Sequence, residues 1–198
     1  GIAVVDKPAG LTSHDVVAKA RKIFGTRKVG HSGTLDPDAT GVLLLGVGRA
    51  TRLLQFLTRL PKSYKGEIVF GEETSTLDSS GEIIRTYDMS ELQFPEVREA
   101  ATKFLGEIEQ VPPMVSAVRV GGRRLHEIAR EGGEVERPSR TVSVKRFEVN
   151  PTAYPLIYEV SVDCSSGTYI RSLAAYLGAS LGGRAHLQNL RRTAIGSF

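Results

Sequence analysis

Three features of the 198-residue chain predict an α+β fold with a mixed, mainly antiparallel central sheet flanked by helices. Strand-like and helix-like segments are intermingled, but they lack the regular strand–helix–strand rhythm that builds a parallel sheet. Thr141–Phe147 and Leu156–Cys164 alternate apolar and polar residues, the period of half-buried strands. Asp78-Ser79-Ser80-Gly81 and Val120-Gly121-Gly122-Arg123-Arg124 carry the residues of tight turns and hairpins.

The elements follow in order. Ile2–Val5 is a short buried strand, broken by Lys7-Pro8-Ala9-Gly10. Thr12 or Ser13 caps a helix whose apolar residues Val16, Val17, Ala20, Ile23 and Phe24 keep helical spacing, and Gly25 ends it. Gly30–Pro37 is a polar loop, Val42–Val47 a strand, Arg49–Leu57 a short helix stopped by Pro61, and Ser63–Phe70 a strand. The Asp78–Gly81 turn leads into a strand over Glu82–Thr86. Phe94, Val97, Ala101 and Phe104 mark an amphipathic helix ending at Gly106. Leu125–Arg130 and Ile170–Leu181 are helices, the second closed by Gly182-Gly183. No internal repeat or low-complexity tract divides the chain.

Composition excludes several classes. Hydrophobic residues are 40% and charged residues 24%, as in an ordinary globular protein. No apolar run approaches the roughly 18–20 residues of a membrane span, and residues 1–6 have no secretory pattern. The single cysteine, Cys164, rules out an internal disulfide and argues against a thiolate zinc site. A cytoplasmic protein without metal is the expectation. The net charge is +4, but it is polarised: residues 67–109 hold 11 acidic and 3 basic residues, leaving 23 basic and 11 acidic elsewhere. Such a distribution suits docking to a polyanion.

Cofactor motifs fail. Gly46-Val47-Gly48 lacks the third glycine of a dinucleotide loop, and no phosphate-binding G-x-x-x-x-G-K-[ST] occurs. Asp36-Pro37-Asp38-Ala39-Thr40-Gly41 starts like a calcium loop, but its twelfth position is Val47 rather than Glu. Asp36 stands before a proline in a glycine-rich loop. That is the setting of a turn residue, and also of an ionised carboxylate used as nucleophile or base. Spacing alone does not choose.

Six blocks together carry a resemblance. Gly30–Leu43 reads GHSGTLDPDATGVL, and Asp6–Asp15 reads DKPAGLTSHD. Lys62-Ser63-Tyr64, Gln110–Ala117, Ser166–Arg171 and Leu190-Arg191-Arg192 follow in order. These resemble the K-P-x-G-x-T-S-H-D, G-T-L-D-P, K-x-Y, Q-V-P-P-x-x-S-A, G-T-Y-I-R and L-R-R blocks of the TruB family of pseudouridine synthases, over nearly the whole chain.

The resemblance implies the pseudouridine synthase fold and conversion of a uridine in RNA to pseudouridine without metal or cofactor. The target it implies is uridine 55, on the T-arm stem-loop of tRNA, with the protein acting as a monomer. It makes Asp36 the catalytic residue and Arg171 the cation that pairs with it. Tyr64 becomes the ring that stacks on the flipped base, Tyr169 a support that orders Arg171, and Leu190 an apolar wall of the base pocket. Lys7 and Pro8 support the site by packing and polar contacts. His31 enters the RNA loop to hold the target nucleotide out of its stack. RNA contacts are expected from Arg123, Arg124, Arg191 and Arg192, within the basic segments Lys19–Lys28, Arg119–Arg146 and Arg184–Arg192. Residues 1–198 are expected to form one catalytic domain with a mobile, thumb-like insertion near 120–137, and no C-terminal PUA domain is recognised.

Two rival readings stand beside this one. The archaeal and eukaryotic branch, guided by H/ACA RNA, shares the H-S-G-T-L-D-P and G-T-Y-I-R blocks, and Arg49–Leu53 also matches it. The long segment Gly121–Arg137 instead resembles the stand-alone enzymes. A tRNA-folding chaperone could keep the fold without the chemistry.

Overall fold

The computed structural model describes residues 1–198. The strands are β1 (Ile2–Lys7), β2 (Val29–His31), β3 (Thr40–Val47), β4 (Lys62–Phe70), β5 (Glu72–Thr74), β6 (Ile83–Thr86), β7 (Gly106–Gln110), β8 (Arg119–Val120), β9 (Arg123–Arg124), β10 (Arg140–Pro151), β11 (Ile157–Cys164) and β12 (Ala185–Ile195). The helices are α1 (Ser13–Ile23), α2 (Leu54–Leu57), α3 (Phe94–Thr102), α4 (Leu125–Arg130) and α5 (Ile170–Ser180), with a 3-10 turn over Gly48–Leu53. The main sheet has eight strands in the order β1-β3-β12-β4-β11-β10-β7, with β2 on β3. The β1–β3, β2–β3 and β10–β7 pairs are antiparallel and the β12–β3 pair is parallel. The sheet is therefore mixed and mainly antiparallel, as the sequence predicts. No helix is long and apolar enough to cross a membrane.

The chain divides into two compact units. The first contains Gly1–Lys65, Asp163–Ser166 and Asn189–Phe198; the second contains Gly66–Val162 and Gly167–Gln188. The core of the first is Val16, Val17 and Ala20 of α1 against Val29, Leu43 and Leu45, with Ala3, Val5, Leu11 and Val47 around it. Thr12 caps α1 by accepting the Asp15 amide, while the Asp15 carboxylate accepts the Thr12 amide. The stripe that packs stops at Ala20. Ile23 and Phe24, expected to extend it, are 78% and 51% exposed.

In the second unit, α3 buries Val97, Ala100 and Ala101 against β10, whose inward residues are Val142, Val144, Phe147 and Val149. Tyr158 meets Phe70 edge-on at 5.5 Å and stacks on Phe94 at 6.3 Å. Helix α5 turns Leu173, Ala174 and Leu177 inward.

Four strands escape the sequence pattern: the three-residue β2 and β5, and the longer β7 and β12. In β7 only Ile108 and Gln110 turn inward, and Gln110 is polar. In β12 the buried residues include His186 and Arg192, so an inward face written partly in polar residues does not read as a strand. Asn189, in mid-strand, also has a left-handed φ of 52°.

Candidate active site

The loop carrying Asp36 joins β2 to β3 in the first unit and has no repeating hydrogen bonds of its own. Its backbone is held by side chains from elsewhere. Arg192 donates from Nη2 to the Gly33 carbonyl at 3.1 Å, from Nη1 to the Thr34 carbonyl at 3.4 Å, and from Nε to the Val42 carbonyl at 2.8 Å. Ser13 Oγ accepts the Leu35 amide at 2.8 Å and donates to the Leu35 carbonyl at 3.1 Å. The Asp36 carbonyl accepts the Ala39 amide, and the Pro37 carbonyl accepts the Gly10 amide. Lys7 Nζ donates to Pro37, Pro8 and Leu11 carbonyls at 3.0, 2.8 and 2.6 Å. A side chain on such a loop has little freedom to drift, which is what a reacting group requires.

Asp36 itself is half-buried. Lys7 is fully buried; burial pushes its ammonium pKa down, while the carboxylates of Asp38, Asp36 and Asp15 oppose that shift. Tyr64 is buried, which pushes its phenol pKa up. The positive charge of Arg192 pulls the other way, while Cys164 and Asp36 add to the rise. Lys62, 7% exposed, is lowered to about 8 by burial and by Arg192, and its Nζ donates to the Thr58 and Leu60 carbonyls. His31 is lowered by burial, with Arg192 and His14 adding to the effect. Its Nδ1 accepts the Gly33 amide at 3.2 Å, which leaves the hydrogen of the neutral ring on Nε2. Leu190 is half-buried beside the strained Asn189, and Pro8 is exposed.

One arginine, Arg192, departs from its expected role at RNA. Arg192 is 1% exposed, and its nitrogens are spent on loop carbonyls, so no phosphate reaches it. Arg191 faces solvent, but its guanidinium is forked on Asp6 at 3.0 and 3.0 Å and also donates to Thr40 Oγ1. It ties β12 to β1. Sequence does not separate these neighbours from free surface cations, because the pleat decides which of the pair turns inward.

In the second unit Arg171, on the first turn of α5, is 4% exposed. It donates to the Thr76 and Val115 carbonyls at 3.1 and 2.8 Å, and its Nε lies 4.0 Å from Asp78 Oδ2. Asp78 Oδ1 accepts from Thr76 Oγ1, the Ser80 amide and Ser80 Oγ. Asp78 thus does more than make the turn assigned to it from sequence. Half-buried Tyr169 starts α5, and its backbone is bracketed by Gln110: Oε1 accepts its amide at 2.9 Å and Nε2 donates to its carbonyl at 3.2 Å. Ser13 and Gln110 lie in matched blocks and Asp78 in a turn outside them, but only the fold reveals what they hold. Arg123 and Arg124 are exposed on β9, with Arg123 paired to Glu131 at 2.7 Å. No group of three or more His, Cys, Asp or Glu side chains is arranged to hold a metal ion.

Comparison with known proteins agrees with the blocks. Residues 21–170 match the TruB family pseudouridylate synthase N-terminal domain. The chain is 51% identical over 201 residues to tRNA pseudouridine synthase B of Mycobacterium avium (strain 104), covering all of this chain and 65% of that protein. It is 50% identical over 202 residues to the protein of that name from Mycobacteroides abscessus, covering all of this chain and 68% of the relative. Among solved structures, one chain of a Cbf5-Nop10-Gar1 complex superposes with a TM-score of 0.77 at 33% identity, covering all of this chain and 49% of that one. The chain thus spans about two thirds of the curated relatives and about half of the solved neighbour. On the matched blocks, the profile match and this identity, the chain belongs to the TruB family of pseudouridylate synthases.

Proposed function

We propose that this chain isomerises uridine 55 in the T loop of tRNA to pseudouridine, acting as a monomer in the cytoplasm. The N1–C1′ glycosidic bond breaks, the base rotates, and C5 bonds to C1′. The proton on C5 is lost and N1 gains one, so no atom or electron is added overall. Asp36 supplies the carboxylate that starts the reaction, Tyr64 stacks on the extruded base, and Leu190 walls the pocket. His31, neutral and with Nε2–H free to donate, helps keep the nucleotide out of its stack. Arg171 serves the carboxylate and Tyr169 orders Arg171; for these two the support is the G-T-Y-I-R block. Exposed Arg123 and Arg124 contact phosphates from a segment, 120–137, that closes on RNA.

The observation that carries this reading is the Asp36 loop, whose carbonyls at Gly33, Thr34, Leu35 and Pro37 are each held by a buried side chain. The mycobacterial relatives carry the name tRNA pseudouridine synthase B, and identity to them exceeds that to the Cbf5 chain, 51% against 33%. That difference favours the stand-alone reading over the guided one.

The test is tritium release from a T-arm stem-loop transcript labelled at uridine C5, with Asp36→Asn beside the wild type. Release by the wild type alone, with RNA still bound by the variant, is the expected outcome. Equal release from both removes Asp36 from the chemistry, and binding without release from either leaves the chaperone reading.

A further inference from the structure

Arg192 occupies a place in unit 1 that neither phosphate binding nor ordinary packing accounts for. Its backbone lies opposite Gly41 in the parallel β12–β3 pairing, and its side chain then turns inward to become 1% exposed. Burying a cation carries a large desolvation cost, which hydrogen bonds must offset. Here they go to three carbonyls in different directions: Gly33 and Thr34 on the loop just before Asp36, and Val42 on the strand just after it. A planar guanidinium with five fixed N–H groups can span such a set; an ammonium on a flexible stem cannot hold the same fork. One side chain therefore ties the two ends of the Asp36 loop to each other.

We propose that Arg192 is a positioning residue of the isomerisation, holding the Asp36 loop in one geometry through the Gly33, Thr34 and Val42 carbonyls and never touching RNA. This rests on the activity proposed above. It separates Arg192 from its neighbour Arg191, which reaches solvent and pairs with Asp6. The L-R-R block then encodes a wall, a surface strap and an internal clamp in three consecutive residues.

The experiment compares wild type with Arg192→Lys on the T-arm stem-loop transcript, measuring kcat, KM, the salt dependence of RNA binding, and amide hydrogen exchange of residues 34–39. In the variant, kcat falls about a hundredfold, the scale of a misplacement of about 1 Å at a reacting group. KM stays within about threefold and the salt slope is unchanged, because no phosphate contact is lost. Exchange quickens over 34–39, while the β1–β3 amides keep their protection. A raised KM with a shallower salt slope and intact kcat makes Arg192 a phosphate contact and overturns the proposal. So does unchanged kcat with unchanged loop exchange. If Arg192→Lys does not fold, the Arg192 Nε–H signal of 15N-arginine-labelled wild type decides: slow solvent exchange that survives RNA addition supports the clamp, and fast exchange overturns it. If the wild type leaves the transcript unmodified, the proposed activity falls, and loop exchange alone judges the clamp.

Discussion

Three buried cations of the first unit and four arginines of the 119–137 segment share a charge and do opposite things. Lys7, Lys62 and Arg192 are 0%, 7% and 1% exposed, and their donors are spent on backbone carbonyls. Arg119, Arg123, Arg124 and Arg130 are exposed, on two-residue strands and a six-residue helix anchored inward by Leu125 and Ile128. The segment with regular elements thus presents its charges to solvent, whereas the irregular Asp36 loop is held at nearly every carbonyl. A reacting carboxylate profits from a backbone that cannot move, and a phosphate contact from side chains that can adapt. Regular secondary structure is a poor guide to which region is the more tightly held.

The contrast can be broken most severely at Gly41. Its φ of +107° disfavours any L side chain, and an added Cβ would fall 2.0 Å from the Arg192 carbonyl, a backbone atom that cannot step aside. Gly41→Ala is expected to cost about 3 kcal/mol or more, combining backbone strain with overpacking. Urea unfolding measures it; a loss below about 1 kcal/mol would mean that β12 can shift away from β3 without harm.

Lys62 offers a milder probe through pH. Its folded pKa is about 8 against an ordinary 10.5. Between those values the unfolded chain keeps a proton that the folded chain has released, so this group makes stability rise with pH across the window. Below about 8 its burial penalty is present in full and constant. Lys62→Met should remove that rise, so the difference between wild-type and variant urea midpoints shifts in favour of the wild type as pH climbs. Parallel profiles would show that Lys62 is already ordinary in the folded protein.

The smallest effect belongs to the exposed segment. Gly122 has φ +83° with nothing near its added Cβ, so Gly122→Ala meets backbone strain alone, about 1 kcal/mol. The variant should raise KM for the stem-loop by roughly fivefold, the equivalent of that strain, with kcat within about twofold. A fall in kcat with unchanged KM would join this hairpin to the chemistry and erase the contrast.

Much of this was legible before folding. Leu125–Arg130 is a helix with the bounds its pattern predicts, and the Val120–Arg124 turn is a hairpin, because local propensity and turn chemistry act within a few residues. Strand β12 was not legible, since its inward face includes His186 and Arg192 rather than only aliphatic residues. Asp36, Tyr64 and Arg171 are marked by blocks of sequence, whereas Ser13, Asp78 and Gln110 act through partners 22, 93 and 59 positions away.

Sequence alone determined the α+β class, the order of most elements and the family, and it marked Asp36 as the candidate carboxylate, since each is written in local pattern or in contiguous blocks. The tertiary structure decided which of two adjacent arginines is a surface strap and which an internal clamp. It did so because successive strand residues point to opposite faces, and only the packed sheet defines which face is inside.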